Sequence, residues 1–227
     1  MTLDTPPLTH GAATDCRGSA LLSVLLLMCL FAAVSIGIAT VVRIETMVGA
    51  RFVEAAGALY AADAGINLAM SEMRTLADWT GLLSGAAQSA LSEGTFAGAK
   101  RVPGGGTVLT CCGPSSVAGR LQRESAASPV ASRAALPWRP FLWCALDQVA
   151  PRSPPSRLFL AVFIQDDEED GDGDGARDAN GRVVVRSEAV HPDGLRRAVE
   201  ALVERHPGDP SAGVAPAVRL LRWREVR

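Results

Sequence analysis

Aromatic side chains are scarce in this chain, with one Tyr and four Trp in 227 residues, so it is not an aromatic platform for stacking bases or sugars. Net charge is nearly absent too. A formal −2 spread over the chain argues against nucleic acid as a main partner. There are only three histidines: His10 near the start, and His191 and His206 in turn-like contexts beside proline. No G-x-S-x-G, H-E-x-x-H or phosphate-loop pattern occurs, and the Gly104–Gly106 triplet alone is a turn signal. The residues give no support to catalysis, and the expectation is a protein that is not an enzyme.

Cysteine is limited to five positions. Cys16 precedes a long apolar run and Cys29 lies inside it, which leaves Cys111, Cys112 and Cys144 for the rest of the chain. Three ligands are too few for a structural zinc site. In an oxidising compartment one disulfide can form, with one thiol left over. Neighbours such as Cys111 and Cys112 bridge each other only with strain, so the spacing favours Cys144 with one of them, three separate thiols being the alternative.

What is present in abundance is apolar sequence near the start. Ser19 to Val42 is 24 residues without a charge, between Arg17 and Arg43. At 1.5 Å per residue a helix of that length spans about 36 Å, against a hydrocarbon core of about 30 Å. It reads as a membrane anchor. It is too long for the core of an ordinary secretory signal, and Met28 before Cys29 fits a lipoprotein signal poorly. Arg17 and Arg43 balance, so flanking charge does not orient it. Residues 1–18 show no periodicity and read as a disordered leader.

The helical pattern continues past the anchor. Apolar residues at Ile44, Val48, Phe52, Ala55, Leu59, Ala62, Ile66, Met70 and Met73 recur in steps of three and four, one stripe of a helix. Counted from Ser19 this helix is about 55 residues long. Its first half (19–42) is apolar all round and its second (43–80) one-sided, which predicts passage from lipid to the surface of a domain. Residues 81–227 form that domain. Residues 82–101 have room for a short helix, Thr107–Cys111 is a candidate strand, and 113–157 reads mostly as loop or insertion apart from Phe141–Ala145. Arg157–Ile164 and Arg182–Arg186 read as strands, and Ala198–Arg205 as helix or strand. Val218–Val226 alternates as a closing strand, with Arg219, Arg222, Arg224 and Arg227 on its wet face. A phosphate-contacting role for that row is the rarer alternative. The expected class is α+β, with the long helix laid across a small antiparallel sheet.

The loop from Gln165 to Gly181 carries seven carboxylates in the nine residues Asp166–Asp174. Asp170, Asp172 and Asp174 alternate with glycines, a spacing that lets carboxylates converge while the glycines take tight turns. Hard oxygen ligands at this density suit Ca²⁺. The expected ligand set is Asp170, Asp172, Asp174, the Ala176 carbonyl and Asp178. Gly181 stands where an EF-hand has Glu, and a strand rather than a helix follows, so the loop is not of that type. A solvated acidic turn without an ion is the alternative.

Arg17-Gly18 followed directly by the apolar helix resembles the processing junction of type IV pilins and pseudopilins. Ala61-Ala62-Asp63-Ala64-Gly65 with Ala69 resembles the A-A-E-A-G segment of PilX-type minor pilins. The hairpin from Val162 through Ser187 and the closing Leu220-Leu221-Arg222-Trp223-Arg224-Glu225 resemble the C-terminal part of such proteins. The resemblance implies cleavage after Gly18 by a prepilin peptidase, N-methylation of Ser19, and an inner-membrane protein with its head outside the cytoplasm. Its partners would then be other minor and major pilin subunits and the pilus assembly platform. Major pilins have Glu at the fifth mature position, where this chain has Ser23. That departure implies a scarce subunit that primes or caps a filament. A pseudopilin of a type II secretion system is the near alternative, and a membrane-tethered calcium-binding module is the alternative of a different class.

Overall fold

The computed structural model describes residues 17–127, 136–151, 155–208, 211, 213 and 215–226. In chain order the elements are α1 (Arg17–Met73), α2 (Thr80–Leu83), β1 (Ala99–Arg101), β2 (Thr107–Leu109), α3 (Val117–Ala126) and β3 (Arg139–Ala145). They continue with α4 (Leu146–Val149), β4 (Phe159–Asp166), β5 (Arg182–Val190), β6 (Arg196–His206) and β7 (Ala217–Val226). The chain divides into two compact units, one ending at Arg51 and one beginning at Phe52.

The first unit contains the apolar part of α1. Every residue from Ser19 to Arg51 is exposed, and the best 18-residue window of the helix has a mean hydropathy of 2.7. This helix is long and apolar enough to cross a membrane. Its hydroxyls turn back on the backbone: Ser23 Oγ donates to the Ser19 carbonyl at 2.9 Å and Thr40 Oγ1 to that of Ile36 at 2.8 Å. These two hydroxyls therefore need no separate solvation within the apolar run. The helix starts at Arg17, two residues before the expected Ser19, and runs unbroken for 57 residues. The expected leader otherwise lies outside the described residues.

In the second unit β3 to β7 form one antiparallel sheet in sequence order, β3-β4-β5-β6-β7, while β1 and β2 pair separately. Strands four and five are buried almost throughout, so Phe159–Ile164 and Val183–Val185 run apolar without alternation: both of their faces are covered. On one face Leu160, Val162, Ile164, Val183, Val185, Val199, Ala201 and Val203 pack with Ala58, Ala61, Ala62, Ile66, Ala69 and Met73 of α1. On the other, Trp143, Phe159, Ala161 and Phe163 pack with Val108 of β2 and with Val117 and Leu121 of α3. The class is α+β, as expected, and Ala198–Arg205 resolves as strand, within β6.

Three expectations about local structure need correction. The stripe predicted from Ile44 onward is buried only in its second half, where Ala62, Ile66 and Met73 enter the core and Leu59 and Met70 pack against it. Phe52 is 73% exposed, and burial begins at Ala58. The buried face consists mainly of small residues, because the helix comes close to the sheet. An added Cβ at Gly65 would lie 2.2 Å from Ser187 Oγ and 3.1 Å from Leu160 Cδ2. The second correction is that residues 82–101 hold no more of a helix than the end of the one-turn α2. The third is that the supposed loop 113–157 contains α3. Ser116 caps that helix by accepting from the Gly119 N–H, and Val117 and Leu121, four apart, point inward. Residues 128–135 and 152–154 of that stretch lie outside the described residues.

The cysteine pairing also differs. Cys111 and Cys112 are bonded to each other, and Cys144 is a free, buried thiol. Side chains alternate along β3, so Trp143 faces the α3 side while Cys144 joins the α1 side. The turn after β2 is on the α3 side, and the sheet stands between it and Cys144. Burial pushes the Cys144 thiol up to about 12, helped by the charges of Glu93 and Glu72, so it behaves as a core residue.

Ser187 Oγ is buried without a hydrogen-bond partner among the described residues. Gly65→Ala in the full-length protein is therefore expected to lower stability by about 1–3 kcal/mol through overpacking. Adding Ser187→Ala should restore most of it. Urea unfolding followed by tryptophan fluorescence checks both, and an unchanged midpoint for Gly65→Ala would show that the helix does not sit this close.

Candidate functional site

The acidic loop joins β4 to β5. These strands pair from Phe159↔Val190 to Asp166↔Val183, so Asp166 is the last residue of the ladder. It is buried, while Asp170 is half-buried and Asp172 exposed. One carboxylate oxygen from each of the three lies within 4.8 Å of the others. Burial pushes the Asp166 carboxyl up to about 7, and the neighbouring Asp170, Asp167 and Asp172 add to this against the opposing Asp167 N–H. Three convergent carboxylates, one of them desolvated, form a donor set that can hold a hard divalent cation. Backbone carbonyls or water would complete its coordination.

Of the expected ligands, Asp170 and Asp172 are in this cluster. Asp174 and Asp178 are not among its three carboxylates. The Asp174 carboxylate accepts from the Ala176 N–H at 3.1 Å, a local Asx turn. Asp178 turns inward, accepting from the Gly181 N–H at 2.7 Å, with Arg205 Nη2 3.9 Å away. Burial pushes its carboxyl up, against the Gly181 N–H and Arg205. Asp166 is the third member of the cluster: β4 runs two residues beyond the expected Ile164, and Asp166 is buried at its end.

The loop is tied down by its own acidic groups. Asp172 Oδ1 accepts from the Asp174 N–H at 2.9 Å, and Asp170 Oδ2 from the Ala179 N–H at 2.9 Å. Asn180 Nδ2 donates to Asp167 Oδ2 at 3.2 Å. Gly173 and Gly181, at φ +72° and +75°, provide the left-handed turns this path needs.

A second polar cluster, missed in the sequence, lies beneath α3. Arg186 of β5 is almost fully buried and bonds Glu188 Oε1 at 2.9 Å and Glu200 Oε1 at 3.1 Å, and also contacts Glu124 of α3. Arg196 bridges Glu124 at 2.6 Å, and Arg224 reaches Glu200. Opposing charges at Arg186, Glu188 and Glu200, placed on strands that otherwise read as apolar, were the signal for it. Of the residues expected at a processing junction, Gly18 lies in the first turn of α1 and Ser19 is exposed there.

No protein-family model, curated protein or solved structure matches this chain.

Relief of like charge gives a direct check of the cluster. In chelator at pH 8, Asp166→Asn is expected to raise the thermal midpoint of the full-length protein, because it removes a desolvated charge from beside two others. A lowered midpoint would mean that Asp166 has a compensating partner and that the three oxygens do not converge.

Proposed function

We propose that the chain is a PilX-like minor pilin, anchored in the inner membrane by α1 with its head outside, and built into a type IV pilus after cleavage following Gly18. One observation carries this reading: three of the stretches that carry the resemblance meet in space. Asp63 of the Ala61–Gly65 segment accepts from Trp223 Nε1 of the closing strand at 3.0 Å, and Gly65 lies against Ser187 of the hairpin. The continuity of an exposed apolar helix with a packed one supports it further.

Ser23 favours a tip or priming position over the shaft. Packed helices in a filament would leave each N-terminal amine without the carboxylate partner that Glu supplies in a major subunit, and a buried unpaired charge is costly. Ser23 spends its hydroxyl on the Ser19 carbonyl. The prepilin peptidase, the other pilin subunits and the assembly platform are the partners this reading requires, and a type II secretion pseudopilus is the neighbouring case.

The second reading rests on the Asp166, Asp170 and Asp172 cluster: a membrane-tethered module that binds Ca²⁺ and has no filament role. The two are separable. Protein purified from membranes of its own host should begin at N-methylated Ser19 by mass spectrometry. An intact Met1, or cleavage near Ala39, would overturn the pilin reading and leave the tethered module.

Calcium is tested independently. Millimolar CaCl₂ should raise the melting temperature of the full-length protein in detergent through preferential binding to the folded state. Asp170→Ala with Asp172→Ala should abolish the rise. An absent shift in the unsubstituted protein would make the loop a solvated turn.

A further inference from the structure

We propose that the open edge of β7 is a docking site for an extended, acidic β-strand contributed by a different protein. The inference goes beyond the pilin-like reading and does not depend on it.

The two edges of the sheet are treated differently. The β3 edge is closed by a strap from residues 89–93. The Ser89 N–H donates to the Phe141 carbonyl at 2.8 Å, and the Glu93 N–H to that of Trp143 at 2.8 Å. Trp143 Nε1 returns a bond to the Glu93 carbonyl at 3.1 Å. At the other edge β7 pairs with β6 alone over ten residues. Among the described residues no backbone hydrogen bond from outside that ladder reaches 217–226. A long edge strand with free N–H and C=O groups is a template for another strand.

The side chains on this edge select the partner. Leu220 and Trp223, opposite Val203 and Ala201 of β6, are 48% and 44% exposed and share one face, and Leu221, 42% exposed, sits at the bulge between them. The other face has Arg219, Arg222 and Arg224, opposite Glu204, Leu202 and Glu200 of β6. Arg224 is neutralised by Glu200, whereas Arg219 and Arg222 have no carboxylate partner among the described residues. An incoming strand that alternates carboxylates with apolar side chains satisfies both faces: its acids lie beside the arginines and its apolar groups beside Leu220 and Trp223.

A second copy of this chain does not fit. Antiparallel β7–β7 pairing about a two-fold axis normal to the sheet keeps each face on its own side, which sets arginine row beside arginine row. Pairing with the β3 edge of another copy is blocked by the strap. The bulge in the β6–β7 ladder between Leu202 and Val203 and the arginines are devices that discourage self-pairing. They leave an oppositely charged strand free to add.

The test uses the full-length protein in detergent micelles with two synthetic peptides as long as β7, one alternating Glu and Val, the other Lys and Val. The Glu/Val peptide should bind and slow amide exchange in 217–226 but not in β3, and the Lys/Val peptide should do neither. Arg219→Glu with Arg222→Glu should weaken Glu/Val binding roughly ten-fold and create binding of the Lys/Val peptide, a gain that misfolding cannot produce. Equal binding of both peptides, or no slowing of β7 exchange by either, would overturn the proposal. So would protection of β7 by anionic lipid vesicles alone, which would assign the arginines to a membrane surface.

Discussion

The approach of α1 to the sheet at Gly65 is the constraint on which the head depends. Ala58, Ala61, Ala62 and Ala69 share the buried face with Gly65, and only Ile66 and Met73 are large. A helix with so small a face cannot fill a gap from its own side. It gains burial by coming close, so that Leu160, Val162, Ile164, Val185 and Val199 of the sheet supply the volume. The same closeness brings Trp223 within reach of Asp63. It also explains why Ser187 is small and why α1 tolerates a glycine, at some cost in helix propensity, where a side chain would collide.

The opposite face solves a different problem. Arg186, Glu188 and Glu200 are nearly inaccessible, and charges in such a place are tolerated only when paired and hydrogen-bonded. The strands alone do not complete the set. Glu124 completes it from α3, drawing Arg186 and Arg196 together, and those two guanidinium groups outweigh burial and hold the Glu124 carboxyl below its ordinary range. α3 is thus held by Val117 and Leu121 on an aromatic floor and by Glu124 over a buried arginine. Removing one partner of such a set costs more than the set contributes, since the remaining charge has no solvent to return to.

Most of the chain's organisation was legible from its sequence, and the reason is periodicity. The apolar run, the long helix and the β4, β5 and β7 strands each repeat a pattern that only one kind of element accommodates. What stayed hidden was information held in tertiary contacts. The stripe Ile44–Phe52 repeats as well as Ala58–Met73 does, and only the position of the sheet decides which is buried. α3 is only ten residues long, too short for its spacing to stand out in a stretch rich in Ser, Ala and Pro. Cys144 looked available to Cys111 or Cys112 because sequence does not show which side of a sheet each thiol occupies. In the acidic loop the composition announced a cluster of oxygen donors, but membership depends on where the backbone turns. Asp174 and Asp178 each turn one carboxylate oxygen to a local N–H group, and Asp166 joins from the end of the strand.

That division within the loop bears on what an ion would do there. Its C-terminal part is already anchored: the Asp178 N–H donates to Thr80 Oγ1 at 3.3 Å, and Arg205 lies between Asp178 and the Ala77 carbonyl. Thr80 is in turn held by Asp78, whose carboxyl the Thr80 N–H and hydroxyl hold below its ordinary range. This end of the hairpin is therefore stitched to the α1–α2 connection by neutral and charge-assisted hydrogen bonds that need no metal. A cation at Asp166, Asp170 and Asp172 would act on the other part, offsetting repulsion among three acids that accept from backbone N–H groups and, among the described residues, from no basic side chain. The fold would keep its hairpin with or without the ion, and the ion's effect would be confined to the order of the exposed turn around Asp172.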